Sequence, residues 1–353
     1  MQADFRVYRR PFWQPLMTAH GAWAERQGIL VKLSDEAGQV GYGEIAPLPW
    51  FGSETLKEAI ALCQSLPKCL ELGDIHAIAD TLPACQFGLE SAWDSLMQPD
   101  RTASAVADWE PPHLSALLPA GRGAIAAWPP LWEKGHRTFK WKIGVGDLAE
   151  ELAGFAQLIR QLPPDARLRL DANGGLDWDT ACRWLEQCAP HPQVEFLEQP
   201  LPPSQFDAML ELGDRFPTPL ALDESVATLG QLQTCWQRGW RGVVVIKAAI
   251  AGFPSQLRAF CQQHPVDIVW SSALETAVAR RYIQAYLVKP RESGASLGNS
   301  LGASLGASLA DSVSEPLSKR ALGYGVAHWF RDSAFEQYSA AAIWQALEPS
   351  ETF

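Results

Sequence analysis

Asp171, Glu198, Asp223, Lys247 and Ser271 each close a short apolar run, in LRLD, VEFLE, LALDE, VVVIK and DIVWSS, at spacings of 27, 25, 24 and 24 residues. Earlier in the chain, TFKWKIGV places Lys140 and Lys142 two apart. Side chains two apart on a strand share a face, so this strand presents two like charges side by side. Three carboxylates converging at one rim would push at least one of their number toward protonation unless a counter-charge is present. An all-oxygen ligand set with no neighbouring His or Cys points to a hard divalent cation, Mg2+, held by Asp171, Glu198 and Asp223. Any one of these acids alone could equally be a helix N-cap or turn former. Their common register, between Lys142 and Lys247, is what favours the metal.

A repeat of about 25 residues is the length of one strand-plus-helix unit, and it sets the expected frame. From about residue 114, the runs LSALLPA, TFKWKIGV, ARLRLDAN, VEFLEQP, PLALDES, GVVVIKAA, DIVWSSALET and ALGYGV alternate with amphipathic stretches such as LAEELAGFAQLIRQL and TACRWLEQCAP. Such alternation predicts βα units around a parallel sheet. Eight strands over this length suit a β/α barrel, although periodicity alone also admits a doubly wound sheet. In a barrel, the polar closing residues would all lie at the C-terminal ends of the strands, the face that carries the chemistry.

The first hundred residues read as a separate α+β unit. GILVKLSD and GQVGYGEIAP, joined by DEAG, predict a hairpin. Ser53 is the expected N-cap of the helix that follows, with Glu54 in its first turn. The expected division is a capping unit over 1–105, a barrel over 106–330, and a tail over about 331–353 that packs back on the cap. The segment 295–310 reads ASLG NSLG ASLG ASLA. Its glycines argue against a helix and predict a loop insertion, at about 293–312, on the barrel face opposite the site.

Composition narrows the function. Hydrophobic residues make up 47% and charged residues 20% of the chain, as in a globular protein. A net charge of −11 without clustered Lys and Arg excludes a nucleic-acid surface. No apolar run approaches the roughly 20 residues that span a bilayer, and MQADFRVYRRPFWQPL lacks the apolar core of a signal peptide, so a cytoplasmic protein without a membrane partner is expected. The 7 cysteines form no CxxC pair and are expected to be reduced and mostly buried. His113, His136 and His328 have no comparable context and are expected to pack or lie at the surface.

Taken together, KxK (Lys140, Lys142), DAN (Asp171, Asn173), EQP (Glu198), DES (Asp223, Glu224) and IK (Lys247) resemble the muconate-lactonizing branch of the enolase superfamily over nearly the whole chain. Within it, GYGEIAPLPWFGSET and SSALET look most like the o-succinylbenzoate synthase family. The resemblance implies an N-terminal cap over a (β/α)7β barrel, a modified TIM barrel. It also implies a Mg2+-dependent hydro-lyase of menaquinone or phylloquinone biosynthesis, with Mn2+ able to substitute, that dehydrates 2-succinyl-6-hydroxy-2,4-cyclohexadiene-1-carboxylate. Lys142 would remove the proton α to the carboxylate, and Lys247 would stand across the ring. Lys140 would lower the pKa of Lys142 and help hold the substrate.

Asn173 would share the face of Asp171 if the strand continues, facing the metal or the substrate. Ser271 and Ser272 would either meet the substrate or cap the next helix. Glu224 and Gln199 would stand behind the metal ligands. The loops His20–Gln27 and Pro49–Gly52 would close over the substrate, with Trp50 and Phe51 excluding water. Two alternatives remain: racemisation or epimerisation of an N-acylamino acid or dipeptide by the same lysines, and a barrel without activity. Oligomeric state is left open.

Overall fold

A computed structural model describes residues 1–18, 21–99, 114–288 and 320–348. The repeat at 295–310, the linker around 100–113 with His113, His20, and residues 349–353 lie outside the described residues.

The cap is a three-stranded antiparallel sheet, β1 (Gln2–Thr18), β2 (Gly21–Ser34) and β3 (Val40–Ile45), with β1 at one edge. The expected hairpin is β2–β3, registered from Ile29↔Ile45 to Ser34↔Val40. Its turn closes through Gly38 N–H to Asp35 O, with Gly38 at φ +81. Helix α1 (Leu56–Ser65), α2 (Leu72–His76) and α3 (Pro83–Met97) follow. Gly41 and Gly43 let α3 lie directly on β3: a Cβ at Gly43 would come within 2.0 Å of Gly88 O, and one at Gly41 within 2.2 Å of Ala92 O.

The first helix is capped differently from the expectation. Thr55, not Ser53, is the N-cap, in a reciprocal box with Glu58. The Ser53 hydroxyl instead accepts from Leu48 N at 2.6 Å, and Glu54 reaches across the cap to accept from Ala84 N and Cys85 N at the start of α3.

The second layer is a curled parallel sheet whose strands pair strictly in chain order, from β4 (Ser115–Leu118) through β5 (Thr138–Lys142), β6 (Arg167–Asp171), β7 (Val194–Glu198), β8 (Leu220–Leu222) and β9 (Val243–Ile246) to β10 (Asp267–Trp270). Helices between the strands, such as α4 (Gly123–Glu133), α5 (Leu148–Gln161) and α6 (Trp178–Cys188), cover the outside. The expected eighth strand, ALGYGV, is reduced to parallel bridges of Leu322 with Leu114 and of Gly323 with Ser271. Those bridges join the two edges of the sheet. Glycine permits this close approach, because a Cβ at Gly323 would meet Ser271 Oγ at 2.8 Å and one at Gly325 would meet Ser115 O at 2.7 Å.

Strand alternation sorts the side chains. Phe196, Ala221, Val243, Val245 and Val269 fill the barrel interior as one cluster. Leu168, Leu170, Leu197, Val244 and Ile246 belong to the larger core that includes the helices. After α7 (Phe206–Arg215), α8 (Leu229–Gln237), α9 (Pro254–Gln263) and α10 (Ala277–Ile283), the chain ends in α11 (Ala334–Gln337) and α12 (Ala340–Ala346). Here Phe335 packs on Tyr8, with ring centroids 5.7 Å apart, and the Arg6 guanidinium lies 4.5 Å from the Trp344 ring.

Candidate active site

Every polar closing residue stands where its strand stops. Lys142, Asp171 and Glu198 are the last residues of β5, β6 and β7; Asp223, Lys247 and Ser271 follow β8, β9 and β10 directly. The rim so formed opens into a cavity of ≈ 530 Å³, lined on its polar side by Lys140, Lys142, Asp171, Asn173, Asp223, Glu224, Lys247, Ser271 and Ser272. The opposite wall is apolar and includes Leu16, Trp23, Trp50 and Phe51 from the cap. The Trp23 and Trp50 rings meet edge to face, 4.7 Å apart.

The two lysines of β5 part company. Lys140 Nζ lies 2.8 Å from Asp171 Oδ2 and 2.8 Å from Glu198 Oε1. Burial alone would lower its pKa, but Asp171, Glu198 and Asp223 outweigh burial and hold it well above the usual lysine range. Lys140 is therefore a fixed cation set among the carboxylates. Lys142, one pleat nearer the rim, is exposed and points into the cavity. Its ammonium makes no ion pair among the described residues. Lys247 pairs with Asp223 Oδ1, and its Nζ lies 3.7 Å from the centroid of the Phe51 ring, a cation–π contact from cap to barrel.

Two lysines do not neutralise these acids. Burial and the charge of Asp171 push Glu198 up to about 8, although Lys140 pulls the other way. Burial raises Asp223 to about 6 in spite of Lys247. Asp171 would also rise with burial, but Lys140 and the Asn173 N–H hold it below the usual aspartate value. Burial raises Glu224 as well, and its Oε2 is buried without a hydrogen-bond partner among the described residues.

Among the described residues, no three His, Cys, Asp or Glu side chains stand gathered as a metal-holding cluster, and Lys140 pairs with both Asp171 and Glu198. The donor chemistry nonetheless fits a hard divalent cation. With Glu198 behind Lys140, four carboxylates gather at the rim against Lys140, Lys142 and Lys247, one carboxylate oxygen is orphaned, and neither His nor Cys lines the cavity.

The remaining sequence candidates have definite partners. The β6 strand stops at Asp171, so Asn173 reaches its neighbours through a turn rather than a continuing pleat. At φ +46, Asn173 donates from its backbone N to Asp171 Oδ1 (2.9 Å), and from Nδ2 to Asp171 Oδ2 and Glu224 Oε1 (both 3.2 Å). Gln199, fully buried, accepts from Asp223 N and Ser225 N and donates to Leu201 O and Ser225 Oγ, so it shapes the turn that carries Asp223. Ser272 Oγ is engaged within its own loop, donating to Glu275 Oε2 and accepting from Leu274 N, while the cap of α10 is Thr276. Ser271 lines the cavity beside Gly323. His136 is bonded to Leu114 O, and His328 is exposed.

Sequence reasoning did not assign a site role to Ser115 and Leu117, to Val326 and Trp329, or to Glu151. The first four line the cavity. The alternation of Ser115 and Leu117 in LSALLPA was the available signal for two of them. Glu151 accepts backbone N–H groups from Gly144, Val145 and Gly146 at 2.8–2.9 Å and so fixes the loop that follows Lys142.

Known proteins share this arrangement. Residues 126–288 match the enolase C-terminal domain-like family, and residues 2–96 match the MenC N-terminal domain. An o-succinylbenzoate synthase from Thermosynechococcus vestitus is 46% identical over 287 residues, covering 80% of this chain and 87% of that protein. The crystal structure of o-succinylbenzoate synthase from Thermosynechococcus elongatus BP-1, complexed with magnesium in the active site, superposes with a TM-score of 0.83 at 39% identity, over 98% of this chain and 100% of that one. The L-Ala-D/L-Glu epimerase from Bacillus subtilis shares the fold, with a TM-score of 0.63 at 19% identity over 81% of this chain and 86% of that one. The carboxylate rim, the cap closed over it and an identity of 46% across most of both chains make this chain a member of the o-succinylbenzoate synthase family within the enolase superfamily.

Proposed function

We propose that the cavity dehydrates 2-succinyl-6-hydroxy-2,4-cyclohexadiene-1-carboxylate to o-succinylbenzoate, a step of menaquinone or phylloquinone biosynthesis, with Lys142 as the base. One observation carries the assignment of roles: of the two lysines on β5, Lys140 is held between Asp171 and Glu198 while Lys142 points free into the cavity. A base must be able to lose its proton, and a lysine clamped by two carboxylates cannot.

Asp171, Glu198 and Asp223 would hold Mg2+, with Asn173, Glu224 and Gln199 fixing their orientation. When bound, the ion would supply positive charge to the substrate carboxylate. Lys142 Nζ takes the proton from the ring carbon that bears this carboxylate. The electron pair forms the ring double bond as the neighbouring C–O bond breaks, and the hydroxide leaves as water with the proton that Lys142 Nζ has just taken, which returns Lys142 to its neutral form. Aromatisation drives that second step. The Lys247 ammonium offers fixed charge across the ring, and Lys140 keeps the acids beneath the substrate from repelling it. Leu16, Trp23, Trp50 and Phe51 exclude water.

The division into a cap over 1–105 and a barrel over 106–330 belongs to the same reading, supported by the two separately matched stretches. So does a cytoplasmic site of action on a small carboxylate. Among the described residues, no helix is long and apolar enough to cross a membrane.

The test is the purified chain with the cyclohexadiene substrate and Mg2+. Formation of o-succinylbenzoate is expected, and its absence overturns the reading. A second reaction, racemisation of an N-acylamino acid, is favoured by one fact: Lys142 and Lys247 both line the cavity, from different strands. Lys247→Arg separates the two, since a two-base exchange is abolished while a one-base dehydration keeps part of its rate.

A further inference from the structure

We infer that Glu44 is a positioning residue, a latch that joins the segments carrying two walls of the cavity. The inference rests on the reading of that cavity as the place of dehydration. Glu44 is the fifth residue of β3, in GYGEIAP, and it is completely buried. A buried carboxylate is costly unless hydrogen bonds replace its water. Glu44 gains these from two other parts of the chain. Within the cap, Tyr8 OH donates to Oε1 at 2.6 Å. From the barrel, Thr276 N donates to both oxygens at 2.9 and 3.0 Å, Ala279 N donates at 3.2 Å, and the Thr276 hydroxyl completes the set. The cap thus provides the negative charge that satisfies the amino end of α10.

What lies on either side of this joint gives it a consequence for the site. Downstream of Glu44 the chain runs directly into the cap wall. Arg26 holds Ala46 O and Pro47 O, Ser53 holds Leu48 N, and then Leu48, Trp50 and Phe51 line the cavity, with Phe51 against Lys247. Upstream of Thr276 is the other wall, Ser271–Leu274. Glu275 braces that wall through Ser272 Oγ (2.9 Å) and Ala273 N (2.6 Å), and Leu274 is held at φ +62, a conformation that a leucine adopts only under constraint. Each wall has its own braces, and one carboxylate, which does not itself line the cavity, joins the segment that carries one wall to the segment that carries the other.

Because Glu44 lies outside the cavity lining, loosening it acts on how the walls meet the substrate and leaves the lysine chemistry in place. Glu44→Gln is expected to raise KM about tenfold while kcat stays within about threefold. Thr276→Val removes, at constant shape, the hydroxyl that donates to Glu44 and accepts from Val278 N as the cap of α10, but keeps the Thr276 N–H bonds to Glu44, and is expected to shift KM in the same direction by less. The double variant is expected to be less than additive, because the two residues form one contact. A role in packing alone would lower kcat in step with the folded fraction and leave KM unchanged, and that result overturns the latch. Should Glu44→Gln not fold, Thr276→Val and Tyr8→Phe decide in its place: an unchanged KM in both overturns it. Failure of the wild-type chain to turn over the cyclohexadiene overturns the reading of the cavity instead, and it is seen before any variant is made.

Discussion

The barrel holds paired charge at both ends, and the two ends are balanced differently. At the floor, Arg169 donates to Glu195 at 2.7 Å, while Arg320 donates to Glu195 at 2.6 Å and through two nitrogens to Asp267 at 2.7 Å each. Among the described residues, two guanidiniums face two carboxylates there. The Glu195 carboxyl, which burial would raise, is held below its usual value by Arg169 and Arg320. At the mouth, Asp171, Glu198, Asp223 and Glu224 face Lys140 and Lys247, and Glu198 is pushed up to about 8. Burial is deeper at the mouth, where Asp171, Glu198 and Asp223 are buried, than at the floor, where Asp267 is exposed and Arg320 partly so. The charge balance differs as well: among the described residues the floor has as many cations as carboxylates, whereas at the mouth four carboxylates outnumber Lys140, Lys142 and Lys247, and further positive charge would complete the set.

Substitutions at the mouth should break chemistry or metal binding with little change in fold. The largest effect is expected for Lys142→Met, a loss in kcat of about 10³-fold, within the usual range for a positioned acid–base group. Mg2+ binding by calorimetry should be retained, since Lys142 pairs with none of the carboxylates. An active Lys142→Met protein would move the base to another residue. Asp223→Asn comes next, expected to weaken Mg2+ binding on the order of 100-fold. Binding that equals wild type would remove Asp223 from the ligand set.

The same contrast explains what could be read from sequence. The mouth was legible because each of its acids ends an apolar strand, and a charge in that setting stands out at the spacing of a βα unit. The floor was not. Glu195 enters it through a register shift between β6 and β7, where Leu168 pairs with Val194 but Arg169 pairs with Phe196. A bulge of this kind redirects one side chain and leaves no periodic signal. Strand β1 was missed because Pro11 and Pro15 interrupt its pattern. Its edge position, with a shift in pairing between Pro11 and Leu16, is where a strand tolerates proline. The different placement of Ser53, Asn173 and Lys140 has one cause: their partners lie far away in sequence or in a turn, and local propensity carries no information about either. Glu44 and Glu54 are further cases, since each serves the start of a helix elsewhere in the chain.

Breaking the floor should cost stability and spare the reaction. Arg320→Met leaves Glu195 with one of its two cations and Asp267 with none at that place. Because Arg320 is partly exposed, the expected loss is about 1–2 kcal/mol, well below the 3–5 kcal/mol typical of fully buried pairs. Denaturant unfolding would measure it, with kcat per folded molecule unchanged. A fall in kcat larger than the fall in folded fraction would show that the two ends of the barrel are coupled.

The smallest effect concerns pH and follows from the direction in which Glu195 is shifted. Its folded-state pKa lies below the ordinary 4.5 because the arginines favour the charged form. Above that ordinary value both folded and unfolded states carry the charge, and the pairing contributes its full stability. As pH falls from about 4.5 toward the folded value, the unfolded chain takes up the proton first, so stability is lost on the acid side. Glu195→Gln cannot titrate, and it should therefore be less stable than wild type near neutrality while declining less steeply below about pH 4.5. Midpoints of thermal unfolding between pH 3 and pH 7 would compare the two slopes. Parallel acid limbs would mean that the floor behaves no differently from an exposed pair, and its contrast with the mouth would then rest on geometry alone.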